Sequence, residues 1–284
     1  MENNIIVTTS ASIAPIITLI TDFGLRDEYV GVLKGVILTL APKVRLVDIT
    51  HLIPPQGVQT ASHLLARSCT YFPPGTVHLV IVDPGVGSSR SILAIAADSH
   101  YFIGPDNGVF TPVFLRAGSL RVHRVTAADL FLDNVGATFH GRDIMAPVAA
   151  RLAAGLALDH VGPRIPVEDC VHTLQETGIR TGDMLQGEIL HVDNFGNLCT
   201  NITRQEVEIF ASGKEIFIWV NETLIPFCHA YADQDKGRLL ALYDSHDYLE
   251  IAINQGNAAQ ELDMAIGSII ILSRRRPDFS NSPS

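Results

Sequence analysis

The rhythm of apolar and polar positions changes several times along the chain. Residues 1–14 are small, polar and rich in Thr and Ser, and a loosely ordered tail is expected there. Residues 16–21 form a short apolar run with β-branched side chains, the mark of a strand. After Asp22-Phe23-Gly24 the apolar positions fall at Val30, Leu33, Ile37 and Leu40, a helical spacing that Pro42 stops. The order repeats: an apolar strand at 44–49, a helical stretch at 58–72 closed by Pro73-Pro74-Gly75, and a near-continuous apolar strand at 76–83. Residues 91–97 and 100–103 add a hairpin-like pair, and 137–156 should form one long helix. Strands that alternate with helices predict right-handed crossovers and a mostly parallel sheet with helices on both faces.

Beyond Gly155 the pattern shifts through a Pro-containing stretch into short strands at 187–192, 197–202, 215–220, 238–243, 248–253 and 268–272. Short strands at regular intervals with turns between them predict a small antiparallel barrel or sandwich. The expected division is a tail at 1–14, an α/β domain at 15–175, a smaller all-β barrel at 176–275 and a second tail at 276–284. Arg274-Arg275-Arg276 is expected to be a solvated basic end.

Composition narrows the function classes. With 284 residues the chain can bury two ordinary cores, and 47% hydrophobic against 18% charged residues is the balance of a folded protein. A net charge of −10 opposes a nucleic-acid surface and suits a cationic small molecule better. Cys69, Cys170, Cys199 and Cys228 form no C-x-x-C pair, so neither a disulfide framework nor a zinc ribbon is expected. The first residues lack a signal-peptide pattern and the apolar runs are too short to span a bilayer, so a cytoplasmic location without membrane attachment is expected.

In an open α/β sheet, ligands sit beyond the carboxyl ends of the strands. Asp22 follows the first strand, and Asp83 ends the strand at 76–83 in Asp83-Pro84-Gly85-Val86-Gly87. His140 opens a helix in Phe139-His140-Gly141-Arg142-Asp143. Taken singly, Asp22 also reads as a cap, the Asp83 loop as a tight turn and His140 as a hydrogen-bonded structural residue. The Asp83 loop is not a Walker A motif and no G-x-G-x-x-G follows the first strand, which argues against nucleoside triphosphate and NAD sites. The histidines show no H-E-x-x-H spacing, and no catalytic metal is assigned. Asp193-Asn194-Phe195-Gly196-Asn197 reads as a hairpin turn dense enough in polar groups to bind a ligand.

The ordered set of motifs is more specific than any one of them. Thr21-Asp22-Phe23-Gly24, Asp48-Ile49-Thr50-His51, Asp83 to Gly87 with Arg90, Gly104-Pro105-Asp106-Asn107-Gly108, Phe139 to Asp143, residues 193–202 and Leu249-Glu250-Ile251-Ala252 follow one another in the chain. Together they closely resemble the adenosine-forming S-adenosylmethionine (SAM) hydrolases, also called SAM hydroxide adenosyltransferases, over about residues 15–273. The resemblance implies hydrolysis of SAM to adenosine and methionine, no cofactor, and a homotrimer with active sites between the α/β domain of one subunit and the barrel of the next. It implies Asp83, Arg90 and His140 as the catalytic set and Asp22 at the ribose hydroxyls. It also implies Asp27 and Asp193 near the methionine ammonium, Phe195 and Asn197 at adenine, and Ser245 at the methionine carboxylate. The halogenating relatives carry an Arg after that serine, whereas His246 stands here, so the carboxylate clamp differs.

These residue types suit the reaction. Methionine leaves as a neutral thioether, so only the attacking water needs help, which Asp83 or His140 would give by accepting its proton. Two competing readings remain at this level. A fluorinase-like or chlorinase-like halogenase shares the substrate, but Asp83 would repel a halide. A non-catalytic adenosine or SAM sensor would have little use for an intact Asp83, Arg90 and His140.

Overall fold

A computed structural model describes residues 14–173, 178–220 and 223–275. The expected tail at 1–14, except Ala14, the expected tail at 276–284 and the expected boundary between 175 and 176 lie outside these residues. The chain divides into two compact units, Met1–Thr173 and Leu174–Ser284.

The first unit is a seven-stranded sheet flanked by helices. Its strands are β1 (Ile16–Thr21), β2 (Arg45–Thr50), β3 (Val77–Ile81), β4 (Ile92–Ala97), β5 (His100–Pro105), β6 (Leu120–Arg124) and β7 (Arg164–Ile165). Its helices are α1 (Tyr29–Leu40), α2 (Val58–Ser68), α3 (Thr111–Arg116) and α4 (Ala146–Ala153). The strand order is β2-β1-β3-β5-β4-β6-β7. β2, β1, β3 and β5 run parallel, β4 reverses against β5, and β6 reverses again, so the sheet is mixed but dominated by one direction. The near-continuous apolar run of β3 has the expected cause. Val77, Leu79 and Ile81 enter the core that holds Leu33, Ile37 and Val148 of α1 and α4, while Val80 enters the opposite core with Leu65 and Val113 of α2 and α3. A strand covered on both faces has no position for a polar alternation.

The long helix expected at 137–156 is shorter. His140 caps a π-helical turn at Gly141–Met145 that runs into α4. Pro147 has no N–H to give the Asp143 carbonyl, which instead accepts from Leu132 N–H at 2.9 Å. The helix therefore begins at Gly141 with a widened turn, a feature common at functional sites.

The second unit is a nearly closed antiparallel barrel. Its elements are β8 (Ile179–Thr181), β9 (Met184–Val192), β10 (Leu198–Thr203), α5 (Arg204–Ala211), β11 (Phe217–Val220), β12 (Thr223–Ile225), β13 (Leu239–Tyr243), β14 (Tyr248–Ile253), α6 (Ala258–Glu261) and β15 (Ile269–Ser273). The order is β12-β11-β15-β9-β10-β14-β13, with β8 beside β9. The two ends of that order approach each other: Cys228 N–H donates to the Ala241 carbonyl and Ala241 N–H to the Pro226 carbonyl, both at 2.8 Å. Closing the edge in this way removes a free row of backbone donors and acceptors. The barrel core holds Ile189, Ile202, Phe210, Ile251 and Ile270.

Arg275 is solvated as expected, 82% exposed, whereas Arg274 is largely covered. Both pair with Asp183, at 2.7 and 2.6 Å, and Arg274 also lies 5.2 Å over the Phe210 ring. Arg276 lies outside the described residues. No helix among the described residues is long and apolar enough to cross a membrane.

Candidate functional site

The site of the first unit is built on the carboxyl ends of β1 and β3. β3 ends at Ile81, so Asp83 stands in the loop just beyond it. That loop is tight: Val86 N–H donates to the Asp83 carbonyl at 3.2 Å and Ser88 N–H to the Gly85 carbonyl at 3.1 Å, while the Ser88 hydroxyl accepts from Arg90 N–H at 3.2 Å. Gly87 has φ +79°, and a Cβ there would sit 2.5 Å from the Ala137 carbonyl oxygen, so this position packs directly on the segment before His140.

Folding back in this way brings Arg90 onto Asp83. Arg90 Nε donates to Asp83 Oδ1 at 2.8 Å and to Oδ2 at 3.1 Å, and Nη2 also donates to Oδ2. The two side chains are only 11% and 6% exposed, where losing either partner would strand a buried charge. Arg90 Nη2 also lies 3.1 Å from His140 Nδ1. A guanidinium only donates, so Nδ1 must accept, and a neutral ring then carries its proton on Nε2. Burial, and then the charge of Arg90, hold the His140 pKa below its ordinary value against the pull of Asp83 and Asp143. The structure thus joins Asp83, Arg90 and His140 through one guanidinium.

Asp22 Oδ2 accepts from Gln56 N–H at 2.9 Å. Thr21 Oγ1 meets His51 Nδ1 at 2.8 Å, and His51 Nε2 lies 3.1 Å from Asp48, which pairs with Lys34 at 2.6 Å. The Asp48-Ile49-Thr50-His51 motif therefore steadies the end of β1 next to Asp22. Phe23, Tyr29 and Phe139 form an aromatic cluster with ring centroids 5.4–5.9 Å apart, which packs the Asp22 loop against the residue before His140. Asp27 is exposed in the same loop.

The barrel candidates fall in two turns. Asp193 Oδ1 accepts from Phe195 N–H at 2.8 Å and Asn197 N–H at 2.9 Å, and Oδ2 accepts from Asn197 Nδ2 at 3.0 Å. These bonds bury Asn197 to 6% and push Phe195 out to 73% exposure. Ser245 Oγ lies 3.1 Å from His246 Nδ1 in the turn between β13 and β14.

Asp143 and Glu250 were not singled out individually by sequence reasoning. Asp143, fully buried, accepts from Arg142 Nε at 2.6 Å and Gly136 N–H at 2.8 Å. Burial alone would raise its pKa, but the Arg142 and Gly136 bonds outweigh it and hold the group below its ordinary range. Glu250 is 4% exposed and accepts from the Tyr231 hydroxyl at 2.6 Å. Its pKa is pushed up by burial first, which the Tyr231 bond opposes, and further by the carboxylates of Asp193 and Asp244. The signal for Glu250 was a charged residue inside the apolar run Leu249-Glu250-Ile251-Ala252. Cys199, Asp244 and Glu250 bring their ligating atoms within 4.8 Å of one another.

Residues 17–162 match the SAM hydroxide adenosyltransferase N-terminal domain and residues 187–271 its C-terminal domain. The chain is 37% identical to a (R)-S-adenosyl-L-methionine hydrolase of Salinispora tropica over 89% of its own length and 95% of that protein. It is 27% identical to a fluorinase of Nocardia brasiliensis over 92% and 97%. A crystal structure of an uncharacterised conserved protein from Thermotoga maritima superposes with a TM-score of 0.84 at 38% identity, covering 90% of this chain and 99% of that one.

Proposed function

The chain belongs to the SAM hydroxide adenosyltransferase family, and from that premise we infer that Asp83, Arg90 and His140 prepare the water for its reaction. It is an enzyme that hydrolyses SAM to adenosine and methionine, and its fluorinase relatives are more distant. The water oxygen bonds to the ribose 5′ carbon as the carbon–sulfur bond breaks. The electron pair of that bond neutralises the sulfonium, and one proton is released.

The observation that carries the inference is the single guanidinium bound to both the Asp83 carboxylate and His140 Nδ1. With Nδ1 accepting, His140 presents Nε2–H as a donor to the water oxygen, and Arg90 stabilises the negative charge that develops there. Asp83 is left as the proton acceptor, a role worth about 10²–10⁴-fold. As Asp83 takes its proton, the attacking oxygen gains negative charge that offsets the positive charge lost from sulfur, so a pocket closed to bulk solvent favours the step. A carboxylate at that place disfavours a halide nucleophile, in keeping with hydrolysis.

Asp22 is proposed at the ribose hydroxyls, where one carboxylate accepts two hydrogen bonds. Asp27 and Asp193 are proposed near the substrate ammonium, Phe195 and Asn197 at adenine, and Ser245 with His246 at the carboxylate. The site residues are divided between two units, which supports a pocket completed by both, as in the family's homotrimer. No cofactor and no nucleic-acid or membrane partner enters this scheme. All four cysteines are free thiols, which suits a reducing cytoplasm.

The test is the Asp83→Ala and His140→Ala pair. Both should fold and bind adenosine while losing at least about two orders of magnitude in turnover. Near-wild-type turnover in both would overturn the assignment. Mixing Asp83→Ala with Asn197→Ala subunits after dissociation should restore part of the activity if sites are shared between subunits. Equal inactivity after verified exchange would contradict sharing.

A further inference from the structure

β5 lies between β3 and β4 in the sheet, so the loop that joins β3 to β4 must arch over the carboxyl end of β5. That end carries the turn Gly104-Pro105-Asp106-Asn107-Gly108, and the arch carries Asp83 and Arg90. We propose that Asn107 is a positioning residue for the hydrolysis, clamping the arch so that Asp83 and Arg90 meet. This rests on the reading of Asp83, Arg90 and His140 given above.

Asn107 Nδ2 donates to the Val82 carbonyl at 2.9 Å, the residue immediately before Asp83. Asp106 N–H donates to the Ser91 carbonyl at 2.9 Å, the residue immediately after Arg90. One short turn therefore holds both feet of the arch. The second bond continues the β4–β5 ladder, in which Ile92 pairs with Pro105. The first has no ladder to support it and depends on a side chain.

The amide of Asn107 is itself oriented. Its Oδ1 accepts from Val109 N–H at 3.3 Å, which leaves Nδ2 to face Val82. β5 comes this close to β3 because residue 104 is glycine: a Cβ there would lie 2.6 Å from the Val80 carbonyl oxygen and 2.8 Å from the Phe110 ring. On its other side the turn is buttressed by Val171 N–H donating to Asp106 Oδ1 at 2.8 Å and by Thr173 Oγ1 donating to the Gly108 carbonyl at 3.3 Å. Removing the Nδ2 donor frees only the foot next to Asp83. The arch then relaxes where the Arg90 bridge to His140 is set, and misplacing such a group by about 1 Å can cost up to about 10²-fold in rate.

The experiment uses the full-length protein with Asn107→Asp and Asn107→Ser. The first keeps the size of the side chain and an acceptor for Val109 N–H but turns an oxygen toward the Val82 carbonyl. The second is smaller and serves if the first fails to fold. Both should lower kcat about tenfold with KM for SAM within about twofold of wild type, the pattern of lost transition-state alignment. The ¹⁵N resonances of the His140 ring, assigned with His140→Gln, should shift as Nδ1 loses its bond from Arg90. Unchanged kcat with unchanged His140 resonances would overturn the proposal, and so would lowered thermal stability with unchanged kcat. Asp83→Asn is measured in parallel. If that variant keeps its turnover the catalytic reading falls, and the clamp is then decided by the His140 resonances alone.

Discussion

In the arch at residues 83–90, charged side chains hold one another. Arg90 binds Asp83 and reaches His140, and the Asp83–Arg90 pair is almost sealed from solvent. In the barrel turn at residues 193–197 a carboxylate holds its own backbone instead, and the turn's aromatic residue is left exposed. The first arrangement concentrates charge where a small nucleophile can be polarised. The second spends its charge on shape and offers an aromatic face and a fixed amide, the equipment of recognition. In the proposed scheme the arch serves the chemistry and this barrel turn serves binding, so changes in the two should move different kinetic constants.

The largest expected effect is at the arch. Asp83→Asn keeps the shape of the side chain but removes the proton acceptor, and kcat should fall by about 10²–10⁴-fold with adenosine affinity retained. Isothermal titration with adenosine and steady-state assays measure both. If adenosine affinity collapses together with kcat, the separation of roles is wrong.

Phe195→Ala should do the opposite. Stacking of a base on an aromatic ring is worth about 1–3 kcal/mol, so KM for SAM and the dissociation constant for adenosine should rise about tenfold while kcat stays close to wild type. A loss confined to kcat would move Phe195 out of the adenine site.

A smaller effect concerns Glu250. Its folded pKa is raised above the ordinary 4.5, so the native state holds a proton that the unfolded chain releases. Stability from this group is present at low pH and is lost as pH rises above the ordinary value. Glu250→Gln removes that dependence, so its melting temperature should gain on wild type between pH 5 and pH 8, by about 2–4 °C for each kcal/mol. Parallel melting curves at the two pH values would contradict the buried-acid reading.

The smallest effect is the acid limb of the rate. Burial and Arg90 keep His140 neutral, so kcat should hold until the pH falls below the ordinary histidine value of about 6.5. Protonating Nδ1 would then set a cation against the guanidinium. A limb at or above that value would show that His140 works as a cation.

Much of this was legible before the fold was known. Asp22 and Asp83 could be placed because β-branched runs alternating with helical spacings predict parallel strands, whose carboxyl ends gather ligands. The contact between Arg90 and His140 was not legible, since it depends on the arch closing over β5 and on the widened turn that Pro147 imposes. Helix α5 was missed although Thr203-Arg204-Gln205-Glu206 spells its capping box, with Thr203 N–H donating to Glu206 Oε2 at 2.7 Å. The surrounding run of short strands masked it. Glu250 was seen only as part of a motif, because a buried carboxyl in a strand shows its purpose only once Tyr231 and the neighbouring carboxylates are in place.

The most direct measurement is hydrolysis in ¹⁸O-labelled water with chloride and fluoride present, followed by mass spectrometry of the products. The expected result is adenosine carrying one ¹⁸O at the 5′ position, unlabelled methionine in equal amount, and no 5′-halogenated nucleoside, with product formation slowed at least about a hundredfold in Asp83→Asn. Unlabelled adenosine, label in methionine, or a halogenated product would contradict attack by an activated water at the ribose carbon.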